Sequence, residues 1–250
     1  MNKLFFYYPL GKHVKESKMN NYFESFIDEY ADEIVAIQPE FYENAAKFIN
    51  KAMEQTGSDG KTVLDIGNGG VINYNHRNLK KLVCADLSIS TKAINRYAEC
   101  INISFCEANM LDLSQWQENT FDVIIVQTVI HHLAGKTLRQ TELNVEKGLR
   151  ECMRILKPGG QLLIVESTVK VWFEYLERWF YPLMQLFFRM IKFDTVYQFS
   201  SKRLWQFINT MGFDIMEHEE IKMDKYIWLC RKKVLTKLTP CGATWFRIKG

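Results

Sequence analysis

The feature that most constrains this chain is Val63-Leu64-Asp65-Ile66 running straight into Gly67-Asn68-Gly69-Gly70. A short apolar run bounded by a turn reads as a buried strand. Glycines at its end let the backbone turn tightly and let a ligand approach with no Cβ in the way. A second apolar run, Leu82-Val83-Cys84-Ala85, ends at Asp86, 21 residues after Asp65. A helix around Ser90–Ala98 follows, then further short runs at 103–105 (ISF), 121–126 (FDVIIV) and 161–165 (QLLIV). Between the last two lies a long helix with Val145, Leu149, Cys152, Met153 and Leu156 on one stripe. Lys157-Pro158-Gly159-Gly160 reads as its stop. Short apolar runs alternating with helices predict a parallel sheet covered on both faces, doubly wound with right-handed crossovers.

The flanks are read with less pattern. Residues 1–60 are expected to be a helical segment, with Phe41, Ala45, Phe48, Ile49 and Ala52 at helical spacing, and residues 61–250 the main domain. Ser200 or Ser201 can cap a helix carrying Leu204, Phe207, Ile208 and Met211, stopped by Gly212. Strands are expected at 213–221 and, as the last one, at 243–248.

Composition narrows the classes. With 47% hydrophobic and 24% charged residues in 250, the chain can bury a core and is not of disordered type. A net charge of +3 gives no general reason to expect a nucleic-acid partner. No run reaches the roughly 18 uncharged apolar residues of a membrane-spanning helix. The N-terminal patch Leu4-Phe5-Phe6-Tyr7-Tyr8 is too short and aromatic for a signal peptide. Six cysteines without C-x-x-C pairing are expected to be reduced thiols in a cytoplasmic protein, and no metal site is evident.

What would the glycine loop hold? Asp86 lies at the spacing from which an acid reaches both hydroxyls of a ribose. A dinucleotide loop wants G-x-G-x-x-G, but Ile72 occupies the third position. Asp65 would repel a phosphate and suits a ligand with a cationic end. S-adenosylmethionine has a sulfonium, an ammonium and a ribose, and no phosphate. A nicotinamide oxidoreductase on the same sheet and a non-catalytic S-adenosylmethionine-binding module stay open as alternatives.

At these motifs the sequence resembles the class I S-adenosylmethionine-dependent methyltransferases, of the small-molecule type. Val63 to Gly69 looks like their first motif and Val83-Cys84-Ala85-Asp86-Leu87-Ser88 like their second. Phe121 to Val126 with Ile130-His131-His132-Leu133 is similar to their fourth, and Leu149 to Glu166 to the helix and strand that follow. The resemblance implies a Rossmann-like, mostly parallel seven-stranded sheet with an antiparallel last strand and a helical cap. It places Gly67 and Gly69 at the methionine part of the cofactor, Asp86 on the ribose and Leu87 on the adenine. Asn109-Met110 stands where the family has an acid for the adenine amino group, and Gln127 faces the methionine end. Val71 stands where the family commonly has a glycine.

Methyl transfer from a sulfonium is an in-line displacement, so the protein mainly aligns the nucleophile and excludes water. His131 and His132, just past the fourth strand, are candidate general bases for a hydroxyl, which favours O-methylation of a small, hydrophobic acceptor. Glu166 points to the same cleft. Residues 171–199 hold 11 of the chain's 34 aromatics, a density that marks them as an insert with its own task. Trp172, Leu176, Trp179, Leu183, Leu186 and Met190 form one helical stripe that Pro182 should kink or break. Core packing, a lid over the acceptor and an interfacial membrane helix are the three readings of that stripe. The resemblance favours the lid.

Overall fold

The computed structural model describes residues 38–55, 57, 60–67, 69–89, 91–190 and 196–233. Most of the expected N-terminal segment, residues 243–248 expected as the last strand, Cys241, Asn68, Ser90 and residues 191–195 lie outside these. Helix α1 (Pro39–Gln55) precedes strands β1 (Thr62–Ile66) and β2 (Lys81–Asp86), a short α2 (Thr91–Arg96) and β3 (Ile103–Glu107). Then come β4 (Phe121–Gln127), a 3-10 turn (Ile130–Leu133), α3 (Leu138–Ile155) and β5 (Leu156–Ser167). Helices α4 (Val171–Met190) and α5 (Ser201–Thr210) lead into β6 (Phe213–Lys222) and β7 (Lys225–Lys232).

The strands form one seven-stranded sheet in the order β3-β2-β1-β4-β5-β7-β6. The five N-terminal strands pair in parallel, while β7 is antiparallel to both β5 and β6. The physical reason is visible along each strand. Successive side chains alternate between the two faces. Leu64 and Ile66 of β1, with Ile124 and Val126 of β4, enter a core shared with α3 and α5. Val63, Val123 and Ile125 enter a second core under α1. Both faces are therefore covered, and the strands read as continuous apolar runs. α1 presents Phe41, Ala45, Phe48, Ile49 and Ala52 to that second core, so it is a layer of the domain rather than a separate segment.

Three expectations are corrected. The seventh strand is Lys225–Lys232, in the stretch that carried no readable pattern. β5, expected from Gln161, begins at Leu156, so Lys157-Pro158-Gly159-Gly160 follows the end of α3 and also opens the strand. A Cβ at Gly160 would come within 2.9 Å of the Asp122 carbonyl, and the β4–β5 register shifts between Phe121 and Val123, so the turn-like residues are absorbed as a bulge. Pro182 does not break α4, which runs unbroken from Val171 to Met190. Tyr181 and Gln185, on either side of the proline, both donate to the Gly135 carbonyl and hold the helix across the missing amide.

Candidate active site

The carboxyl ends of β1, β2 and β4 converge on the glycine loop. Gly67, Gly69 and Gly70 all have left-handed φ (73°, 60° and 81°). At Gly67 the requirement is doubled. A Cβ there would stand 2.0 Å from Val129 Cγ2, while its amide donates to the Ala85 carbonyl at 2.8 Å. The loop is thus folded back onto the ends of β2 and β4.

Asp86 ties the loop from the other side. One carboxylate oxygen accepts from the Gly69 amide at 3.0 Å and the other from Leu87 at 2.7 Å. Burial pushes its pKa up, and those backbone donors pull it back toward the ionised form. A recess lined by Gly70, Ala85, Asp86, Ser88, Ile89 and Phe105 lies beside this carboxylate, and Leu87 is exposed at its margin. Asp65 sits beneath the loop, fully buried, and accepts from the Tyr74 hydroxyl at 2.6 Å. Burial and the Asp65 charge hold that phenol protonated.

Two expected cofactor residues also serve the protein's own structure. The Asn109 amide oxygen already accepts from the Leu111 amide at 2.8 Å, closing a turn. Met110 is buried in the core, 3.2 Å from the position of a Cβ on Gly148 of α3, rather than at the recess. Gln127, at the end of β4, is the opposite case. Its side-chain oxygen is buried and has no hydrogen-bond partner. A buried acceptor left open costs roughly 1–3 kcal/mol unless a donor completes it.

Beyond β4 the chain bends through Thr128, a non-glycine residue at φ 53°. Such strain costs on the order of 1–3 kcal/mol and clusters where function demands it. His131 follows in the 3-10 turn, its Nδ1 2.7 Å from Glu166 Oε1. Glu166 also accepts from the Ile130 amide at 2.8 Å and from Ser167 at 2.9 Å. A carboxylate can only accept, so His131 Nδ1–H donates to it and keeps its proton, which leaves the lone pair on Nε2. His132 lies beside His131 with ring centroids 4.1 Å apart and planes tilted by 41°, and is itself exposed. Crowding by neighbouring atoms, then the His131 charge, push its pKa down to about 4. At neutral pH it is an uncharged and weak base.

Sequence reasoning missed Tyr42, Thr128 and Lys225. Tyr42 of α1 hydrogen-bonds with the Thr128 hydroxyl, and burial raises its pKa to about 12. Lys225 lies over the Phe41 ring at 4.2 Å and donates to Gln38, with burial lowering its pKa to about 8. Tyr42 looked like one more apolar position on α1, and no spacing rule signals a left-handed threonine.

A methyltransferase-domain family model matches residues 64–164. Over these residues the chain is similar to the class I S-adenosylmethionine-dependent methyltransferases. The ubiquinone/menaquinone biosynthesis C-methyltransferase of Escherichia coli O1:K1 is 31% identical over 119 residues, 44% of this chain and 43% of that one. The match thus spans less than half the length of this curated relative. Among solved structures, the methyltransferase in complex with the Haloferax volcanii Trm112 activator aligns with a TM-score of 0.61. It is 14% identical and the alignment covers 85% of this chain and 98% of that one. The CurJ carbon methyltransferase aligns with a TM-score of 0.56 at 17% identity, covering 77% and 54%. These structural likenesses speak to the fold.

The methyl donor of class I methyltransferases is S-adenosylmethionine. The residues present fit such a group. The open Gln127 acceptor suits a donor such as an ammonium, Asp86 offers ionised acceptors beside a recess, and a Cβ at Gly69 would meet nothing within 4 Å. Among the described residues, no three His, Cys, Asp or Glu gather as a metal site, and no helix is long and apolar enough to cross a membrane.

Proposed function

We propose that this chain methylates a small, apolar acceptor bearing an ionisable hydroxyl, with S-adenosylmethionine as donor. The observation that supports this is the His131–Glu166 pair at 2.7 Å, just past the end of β4. The cofactor would supply an already activated methyl group on a sulfonium. Asp86, Gln127 and the amides of the glycine loop would hold it. His131 Nε2 would take the hydroxyl proton, Glu166 would stabilise the resulting imidazolium, and Tyr42 with Thr128 would order the neighbouring wall.

Once such a hydroxyl is ionised, its charge is shared between the oxygen and conjugated carbons, so one base serves O- and C-methylation alike. Sequence spacing alone favoured oxygen. The names of the Escherichia coli relative and of CurJ both say carbon, and they support the carbon reading. The test is incubation with phenols and quinols and S-adenosylmethionine labelled at the methyl carbon. The chemical shift of the transferred methyl separates a carbon from an oxygen product. His131→Ala is expected to lower turnover about 10²-fold or more while S-adenosylhomocysteine affinity holds. Equal turnover in the variant removes the base, and failure of the wild type to bind S-adenosylhomocysteine removes the whole reading.

A further inference from the structure

Helix α4 is inside out. Its buried residues are polar or hydrogen-bonded: Glu174, Glu177, Tyr181 and Gln185. Its large apolar residues face solvent, with Trp172 65%, Trp179 86% and Met190 75% exposed, and Leu176, Leu183 and Leu186 about half or more. At 100° per residue these exposed positions, with Tyr175, Phe180 and Phe187, span an arc of about 140° along the whole helix. A monomer gains nothing by showing such a face to water, so the face marks an interaction surface.

The orientation is not loosely held. Tyr181 donates to the Gly135 carbonyl at 2.7 Å and meets the Thr141 hydroxyl at 2.8 Å. Glu174 accepts from the Ser200 amide at 3.0 Å, and Arg178 is bound to Glu142 at 2.8 Å. Rolling the helix to bury its aromatics would strip these partners from buried groups.

Charge says what covers the face. Residues 170–203 carry six Lys and Arg against three Asp and Glu, leaving 26 of each sign for the rest of the chain. By sequence the span that bears the apolar face carries a charge of +3, of which Lys170 is paired with Asp224 at 2.7 Å. Two of those acids, Glu174 and Glu177, are turned inward, so no described acid lies on the exposed arc. Glu142 sits between Arg178 and Arg203, and the trio keeps one positive charge. Lys202 is exposed on α5, close in sequence to the half-exposed Trp205. Aromatics and leucines on one side with cations at the rim match a bilayer surface carrying anionic headgroups.

We propose that α4 lies in the surface of an anionic phospholipid bilayer, apolar face down, and seats the carboxyl edge of the sheet at that surface. This needs neither the cofactor nor turnover and stands apart from the proposed reaction. The test is co-sedimentation with phosphatidylcholine vesicles with and without phosphatidylglycerol. The wild type is expected to bind the anionic vesicles, less so at high salt, with a blue shift of tryptophan emission. Trp179→Glu and Leu183→Glu, both on the exposed arc, should each weaken binding about tenfold or more with unchanged thermal melting. Ile101→Glu, at an exposed apolar position elsewhere, should bind as wild type. Absence of vesicle binding overturns the proposal. So does a dimer seen by light scattering that the same two α4 variants dissolve, since a second copy then covers the face.

Discussion

The glycine loop and helix α4 sit at the same edge of the sheet and handle burial in opposite ways. In the loop, backbone conformation is the scarce quantity. Left-handed glycines, the Asp86 carboxylate and the Gly67 approach to Val129 fix the chain with hardly any apolar area. In α4 the backbone is an ordinary helix, and side-chain hydrogen bonds decide which face turns inward. The lesson is that polar satisfaction overrides hydrophobic patterning where enough buried partners wait, here Gly135, Thr141 and Ser200.

The contrast breaks hardest at Gly67. Gly67→Ala places a methyl group where Val129 already stands and demands left-handed φ of an L residue. The strain and overpacking together should cost about 2–5 kcal/mol in thermal or denaturant unfolding, with loss of S-adenosylhomocysteine binding. Gly69→Ala, with open space around it, should cost about 1–2 kcal/mol from φ alone. Equal losses would show that contact with Val129 does not govern the loop.

Glu177 sharpens the α4 side. It is 8% exposed, and burial, then the neighbouring Glu174 charge, raise its pKa to about 7. A carboxyl whose folded pKa lies above its unfolded value destabilises the protein as pH rises between the two. The penalty is absent near pH 4 and fully present above about pH 7, on the order of 3 kcal/mol at most. Glu177→Gln should therefore melt higher than wild type at pH 8, with the gap closing at pH 5. A gap independent of pH would mean that Glu177 is not ionising.

Asp86→Ala comes next, with the S-adenosylhomocysteine dissociation constant rising about 10- to 100-fold by calorimetric titration. The structure adds an effect that spacing did not suggest, because the Gly69 and Leu87 amides lose their acceptor as well. The loop around Gly69 should exchange its amide protons faster in the variant. The smallest pair is on α4. Tyr181→Phe, which removes the bond to Thr141 and one of the two donors to the Gly135 carbonyl, should cost about 1 kcal/mol. Trp179→Ala, on the solvent side, should change stability by less than about 0.5 kcal/mol. Reversal of that order in melting experiments would mean the aromatic stripe is core after all.

The parallel half of the fold was legible because strands buried on both faces announce themselves as apolar runs, and β1, β2 and β4 with the inner part of β5 do so, while the half-buried edge strand β3 showed only a short one. β7 was not, because only Ile227-Trp228-Leu229-Cys230 is buried in it and lysines and an arginine flank those four. Asp86 and the glycines were legible from spacing. His131 was legible as a candidate, but only coordinates show that Glu166 reaches it and that His132 is the weaker base. The facing of α4 was left open for a plain reason. Its partners at 135, 141, 142 and 200 are far away in sequence, and helical periodicity reports that two faces differ, not which one is inside.

The way α4 is attached has its own outcome. The Val169 amide donates to the Phe199 carbonyl at 3.2 Å, and Val169 bridges Ser200 in parallel. The chain therefore leaves the sheet and comes back to it at one point, like an arm on a fixed socket. Between its two ends Tyr181 and Tyr197 enter the core, and the Tyr197 amide donates to the His131 carbonyl at 3.0 Å, so the arm is anchored as well as attached. Replacing the segment from Lys170 to Gln198 by a short polar linker should keep the strand order but lower the melting temperature, because Tyr181 and Tyr197 leave the core and Ser200 loses its acceptor. Such a molecule would separate the proposed methyl transfer from the proposed membrane contact.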